Sequence, residues 1–270
     1  MLEKVLSNDD DCVMVRHECA EALGAIGSEI SKPTLQHVME SHPDRPELSD
    51  TCRLALNVIR WRTEGGDPEH APAACACMLS PYSSIDPAPP HPSHEFKSAV
   101  ELGDILCDAN LAIFERYRAM FSLRNKGGAE CVKQLCRALT TDTSSPLLRH
   151  EVAYVLGQMQ HPDSVDALEV SLRRCDEHEM VRHESAEALG AIEGRWEDCE
   201  RILEEFTNDA NIVVRESCLV ALDAADYWGH NGTAAEEEDD SQNEAATSFS
   251  LQKNSEPPNR ILVGHFNVKD

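Results

Sequence analysis

The chain has 270 residues, a formal net charge of −25 and 5% aromatic residues. Charge of this sign repels nucleic-acid phosphates and anionic lipid and attracts a basic partner, although solubility alone would also account for it. Few aromatics beside abundant Ala and Leu favour helices over β-sandwiches, and no apolar run reaches membrane-spanning length.

Met1–Asp11 is already charged, so no signal peptide is expected. The eleven cysteines are an odd number with one close pair, Cys75-Ala-Cys77, which predicts reduced thiols and a cytoplasmic protein. Neither a nucleic-acid nor a membrane partner is expected.

The first helical signal is "VRHECAEALGAIGS" at residues 15–28. Its frame returns at Asp50 in "ELSDTCRLALNVIRW", without His-Glu, after a step equal to the one from His150 to His183. Residues 63–93 then hold seven of the fourteen prolines, including "SIDPAPPHPS". Proline this dense excludes helix interiors and predicts a linker. Four further units follow, centred near residues 117, 150, 183 and 216, in the order blank, His-Glu, His-Glu, blank. Their texts are "FERYRAMFSLRNKGG", "LRHEVAYVLGQMQH", "VRHESAEALGAIEG" and "VVRESCLVALDAAD". This period accommodates two short helices and two turns. Ala186, Leu189, Gly190 and Glu193 should share one helical face, with Ala and Gly allowing close packing of the next unit. Such units bury their apolar stripes only by stacking.

The fold class expected is therefore all-α, an α-solenoid of HEAT-type repeats in two arms joined by a Pro-rich linker. The boundaries are 1–62 for an N-terminal arm, 63–99 for the linker, 100–228 for a C-terminal arm of four repeats, and 229–270 for an acidic disordered tail. The tail carries eight acidic and three basic residues, so −5 of the charge lies there and −20 on residues 1–228. Asn231-Gly-Thr233 matches a glycosylation sequon by chance in a cytosolic tail.

A single His-Glu pair at a helix start is ordinarily a solvated cap, with Glu favoured there by the helix dipole. Three pairs in phase with the repeat, at His17-Glu18, His150-Glu151 and His183-Glu184, argue against that reading. Successive units place equivalent residues side by side, so His150 and His183 can grip one metal. A carboxylate from the opposite arm would complete a two-His, one-carboxylate set, a ligand type of non-haem iron. No pair is followed by the second His of His-Glu-x-x-His, which disfavours a zinc protease. Glu21 and Glu187, each one helical turn after His17 and His183, read either as acceptors for imidazole N–H groups or as surface pairs. Tyr154 holds that place after His150. His94-Glu95 and His178-Glu179 fall off the frame and are expected at the surface.

"RHEVAYVLGQM", "MVRHESAEALGAI", "IFERYRAMFSLRN" and "IDPAPP" resemble the deoxyhypusine hydroxylase family, over residues 1–228. The resemblance implies a deoxyhypusine monooxygenase, a two-armed HEAT-repeat enzyme with a non-haem di-iron centre between the arms. It would use molecular oxygen to hydroxylate the deoxyhypusine form of eukaryotic translation initiation factor 5A. It implies iron roles for His17, Glu18, His150, Glu151, His183 and Glu184, and two Fe(2+) per complete family-type chain. Glu18 and Glu184 read either as ligands or as holders of the substrate amines. The family pattern has four His-Glu pairs against three here. Leu2 and Leu6 align with Leu168 and Leu172, so the frame predicts that at least ~50 residues of the first arm, with a His-Glu-x-x-Tyr unit, are missing. An iron centre lacking one pair is expected to be incomplete. The alternative function is a catalytically silent HEAT scaffold or an inactive short isoform.

Overall fold

The computed structural model describes residues 1–66, 82 and 84–237. Every regular element among them is helical: α1 Leu2–Leu6, α2 Val13–Ile26, α3 Lys32–Ser41, α4 Pro46–Thr63, α5 Ala99–Cys107 and α6 Ile113–Lys126, then α7 Ala129–Thr141, α8 Pro146–Met159, α9 Val165–Arg173, α10 Glu179–Ala191, α11 Trp196–Phe206 and α12 Ile212–Glu237. Each repeat is a pair of packed helices, and the even-numbered helices of α6–α12 stack in one row, with α10 packed between α8 and α12.

The sequence punctuates these helices by familiar means. Proline opens α4 and α8 at Pro46 and Pro146, where its missing N–H removes nothing from the helix. The Ser145 hydroxyl caps α8 by accepting from the Leu148 N–H, and Ser98 with Glu101 forms a capping box on α5. Gly27 ends α2 with φ of +73°, a conformation that a side chain disfavours. Gly24 and Gly190 serve packing instead: a Cβ at either would come within 2.9 Å of Ala55 or Ala221 on the next inner helix.

An arginine stands immediately before five of the six in-phase positions, Ser49 taking that place before Asp50, and ties neighbouring segments together. The Nε groups of Arg16, Arg116 and Arg182 donate to the carbonyls of Leu6, Leu106 and Leu172, at 2.9, 2.8 and 2.9 Å. Their guanidinium ends reach an acid: Arg16 pairs with Asp9, Arg116 with Asp142 and Arg182 with Asp209. Arg149 departs from the carbonyl pattern and clasps Glu177 through two bonds of 2.8 and 2.6 Å.

Two apolar clusters hold the fold. Leu6, Ala20, Leu35, Leu48, Cys52 and Ile59 belong to the one formed by α1–α4. The larger spans α5–α12, and Leu54 and Val58 of α4 are part of it. The hydroxyl of Ser145, the cap of α8, also donates to Asp50 on α4, at 3.0 Å.

Several details differ from the expectation. Within the expected linker, residues 84–98 pack onto α6: Ala88, Pro92 and His94 are buried. Arg118 donates to the Pro89 carbonyl at 2.9 Å and Arg124 grips Asp86 at 2.8 and 2.6 Å. His94 is therefore not a surface residue. The Ser122 hydroxyl donates to the Arg118 carbonyl, so the His94 Nδ1–H donates to Ser122 at 2.9 Å, and burial pushes this imidazole down to about 4. His178 is half-buried and caps α10 by accepting from the Met180 N–H. Glu193 lies past the end of α10 and is exposed, while Ala186, Leu189 and Gly190 are buried. The last helix continues past Trp228 to Glu237. Cys75, Cys77 and residues 238–270 lie outside the described residues. The nine described cysteines are free, and no described helix is long and apolar enough to cross a membrane.

Candidate metal centre

His17, His150 and His183 each occupy the fifth position of their helix, on α2, α8 and α10. The arginine just before each one ties that helix to neighbouring segments: Arg16 to Leu6 and Asp9, Arg149 to Asp142 and Glu177, Arg182 to Leu172 and Asp209. The His150 ring lies between the other two, 5.4 Å from His17 at an interplanar angle of 87° and 5.4 Å from His183 at 41°. The side chains of His17 and His150 are 1% exposed and that of His183 12%.

His150, His183 and Glu184 offer ligand atoms that all lie within 4.8 Å of one another. Glu184 Oε2 is 3.4 Å from His150 Nε2. The carboxylate beside the two imidazoles thus comes from the same helix as His183, where the sequence suggested one from the opposite arm. A helix turn places adjacent residues about 100° apart, and the stacking of α10 on α8 brings Glu184 across to His150 instead.

His183 shows the clearest preparation for an ion. Its Nδ1 lies 3.4 Å from Glu187 Oε1, and that same oxygen accepts a 2.9 Å bond from the Ser217 hydroxyl on α12. Its Nε2 is buried and has no hydrogen-bond partner among the described residues. Burial pulls this imidazole's pKa down, but the Glu187 hydrogen bond and the charges of Glu184, Glu187 and Glu18 outweigh it and hold the value above the ordinary one. A buried nitrogen without a partner, in an anionic pocket, suits a divalent cation as well as a proton.

His17 is held through Nδ1, 2.8 Å from Thr51 Oγ1, and its Nε2 faces Glu18 Oε1 at 3.8 Å and Glu21 Oε2 at 3.9 Å. Glu151 is 1% exposed. It lines a cleft with Glu21, whose walls include Leu54, Val58, Pro87 and Leu147. Tyr117 also lines this cleft; burial, then the charges of Glu151, Glu21 and Asp50, hold its phenol well above the usual range, and its hydroxyl donates to the Leu147 carbonyl at 3.2 Å.

The site can be set beside known proteins. The HEAT repeats family matches residues 133–223, and the PBS lyase HEAT-like repeat family matches residues 15–41. The deoxyhypusine hydroxylase of Danio rerio is 45% identical over 228 residues, which is 84% of this chain and 70% of that protein. That of Drosophila melanogaster is 44% identical over 229 residues, with the same shares. This chain belongs to the deoxyhypusine hydroxylase family. A solved human deoxyhypusine hydroxylase, in complex with glycerol, matches with a TM-score of 0.73 and 44% identity, over 84% of this chain and 73% of that one.

A deoxyhypusine hydroxylase is a monooxygenase with a metal cofactor, and the donor set here fits one. Neutral imidazoles and carboxylates suit a borderline divalent transition metal better than a hard cation, which prefers oxygen alone. Sequence reasoning had not singled out Thr51 and Ser217, nor the arginine frame at residues 116, 149, 182 and 215. The signal was present: those arginines recur at the repeat period, and the step from Thr51 to Ser217 equals the step from His17 to His183.

Proposed function

We propose that this chain hydroxylates the deoxyhypusine side chain of eukaryotic translation initiation factor 5A with molecular oxygen. Ferrous iron is held by His150, His183 and Glu184, and a second position is built on His17 and Glu18. The observation that carries this reading is the buried Nε2 of His183, partnerless among the described residues, beside His150 and Glu184 and next to an acidic cleft with apolar walls. When bound, ferrous iron supplies the redox chemistry that places one oxygen atom in a C–H bond, the other leaving as water with two electrons from an external reductant.

The chain's own residues do the rest. Leu54, Val58 and Leu147 accept the methylene stretches of a long amine and exclude water from them. Glu21 and Glu151 at the same cleft take its ammonium groups, which fixes how far the side chain enters. On this reading Glu151 is a substrate holder rather than an iron ligand, and Glu184 is a ligand. Glu187 keeps the His183 ring turned so that Nε2 points into the site.

The test is to load the chain anaerobically with ferrous iron, then add reductant, isotopically labelled oxygen gas and the deoxyhypusine-bearing factor. One labelled oxygen atom on the modified lysine is the expected result. A factor unchanged in mass, with metal bound, would sink the reading in favour of a silent scaffold.

A further inference from the structure

We propose that Thr51 and Ser217, from the two repeats without His-Glu, are positioning residues that set the tautomers of His17 and His183. This rests on the reading that those two histidines hold metal. The repeats at Asp50 and Glu216 flank the His-Glu repeats, and each sends one hydroxyl back to its neighbour. Thr51 on α4 is 3% exposed and Ser217 on α12 is 7% exposed. They sit at equivalent frame positions, each one place after the centre of its repeat.

The hydrogen-bond directions follow from what each group can donate. Thr51 gives its single hydroxyl proton to the Glu47 carbonyl at 2.8 Å. Its oxygen can therefore only accept from His17, so His17 Nδ1 carries the proton. The ring's other nitrogen, Nε2, faces the carboxylates of Glu18 and Glu21.

On the other side an ionised Glu187 is an acceptor alone, so the Nδ1 of His183 must be its donor. Ser217 donates to the same Glu187 oxygen and holds it in place while donating nothing to the ring. Both routes reach one result: Nδ1 carries a proton and points to its acceptor, which leaves Nε2 as the nitrogen free for a metal once the ring is neutral. The first uses a hydroxyl directly, the second a hydroxyl through a carboxylate.

The experiment uses Co(II) as the probe, with affinity measured by chelator competition on the full chain. Thr51→Val and Ser217→Ala are each expected to weaken Co(II) binding about 10–100-fold at unchanged helical content. Thr51→Ser and Ser217→Thr, which restore the hydroxyl, are expected to bind as the parent does. Nitrogen NMR of the metal-free chain is the second readout: His17 and His183 should both show Nδ1–H, and Thr51→Val should populate Nε2–H at His17. Unchanged affinity in both apolar variants overturns the assignment. So does an Nε2–H tautomer at both histidines of the parent chain, a measurement that holds even where an apolar variant fails to fold. A parent chain that binds no Co(II) would count against the metal reading itself, while the imidazole spectra still judge the hydrogen bonds.

Discussion

Glu151 and Glu184 follow His150 and His183 in the same way, yet the fold gives them different neighbours. Glu184 Oε2 faces His150 Nε2 at 3.4 Å, whereas Glu151 lines the cleft with Glu21. The two carboxylates can therefore be separated by substitution. Glu151→Gln keeps the shape and removes the charge that an ammonium group would meet. It is expected to raise KM for the deoxyhypusine-bearing factor at least about tenfold, the order lost with one charge-assisted hydrogen bond. Metal affinity should stay at the parent value. Steady-state kinetics beside metal titration checks this, and a loss of metal with unchanged KM would return Glu151 to the ligand set.

At the scale of helices, the arginine clasps decide the register between repeats. Arg116 and Asp142 are both nearly buried, with side chains 3% and 2% exposed. Burial would raise the Asp142 carboxyl, but the Arg116 guanidinium, the Ser145 N–H and the Ser144 hydroxyl outweigh it and hold it below its ordinary value. Glu177 is treated alike: burial opposes, while Arg149 and the His178 N–H bring it down. A carboxyl depressed in the folded state adds stability that is complete above its unfolded pKa and is lost as pH falls through the folded one. Acid should therefore loosen the repeats only below the usual carboxylate range. Asp142→Asn strands a buried guanidinium and is expected to cost about 3–5 kcal/mol at neutral pH. It should also remove part of the acid-dependent loss. Urea unfolding at several pH values measures both effects, and a variant as stable as the parent would show the clasp to be without net effect.

For the molecule as a whole, −20 of the formal charge lies on residues 1–228, where the clasps, the cleft and the histidines are. Among those acids, Glu18 and Glu21 lie near His17, and Glu21 and Glu151 line the cleft. A cationic side chain should be drawn there over a distance set by screening. The Debye length falls from about 10 Å at 0.1 M salt to about 3 Å at 1 M. Affinity for the deoxyhypusine-bearing factor is expected to decline steadily across that range, as read by equilibrium binding at each ionic strength. Salt-independent binding would leave the net charge with solubility alone.

The repeat period, the in-phase His-Glu pairs and the small residues at Ala186 and Gly190 were legible in the sequence, because a stacked repeat must present the same face to each neighbour. The same logic made His150 and His183 neighbours in advance. What periodicity could not reveal is which atoms meet between repeats that are not consecutive. His17 meets His150 although the proline-rich stretch and the repeats at Asp50 and Tyr117 lie between them in the chain, and Asp50 meets Ser145 across that same stretch. Nor could it tell Glu184, whose Oε2 faces His150 Nε2, from Glu151, which lines the cleft. Proline density at residues 84–98 read as a spacer, but Arg118 and Arg124 draw its carbonyls and Asp86 onto α6 and bury His94. Local pattern determined the helices and the face each one buries; contacts between distant helices decided which nitrogen, oxygen and hydroxyl share a pocket, since those depend on packing across the stack rather than on spacing along the chain.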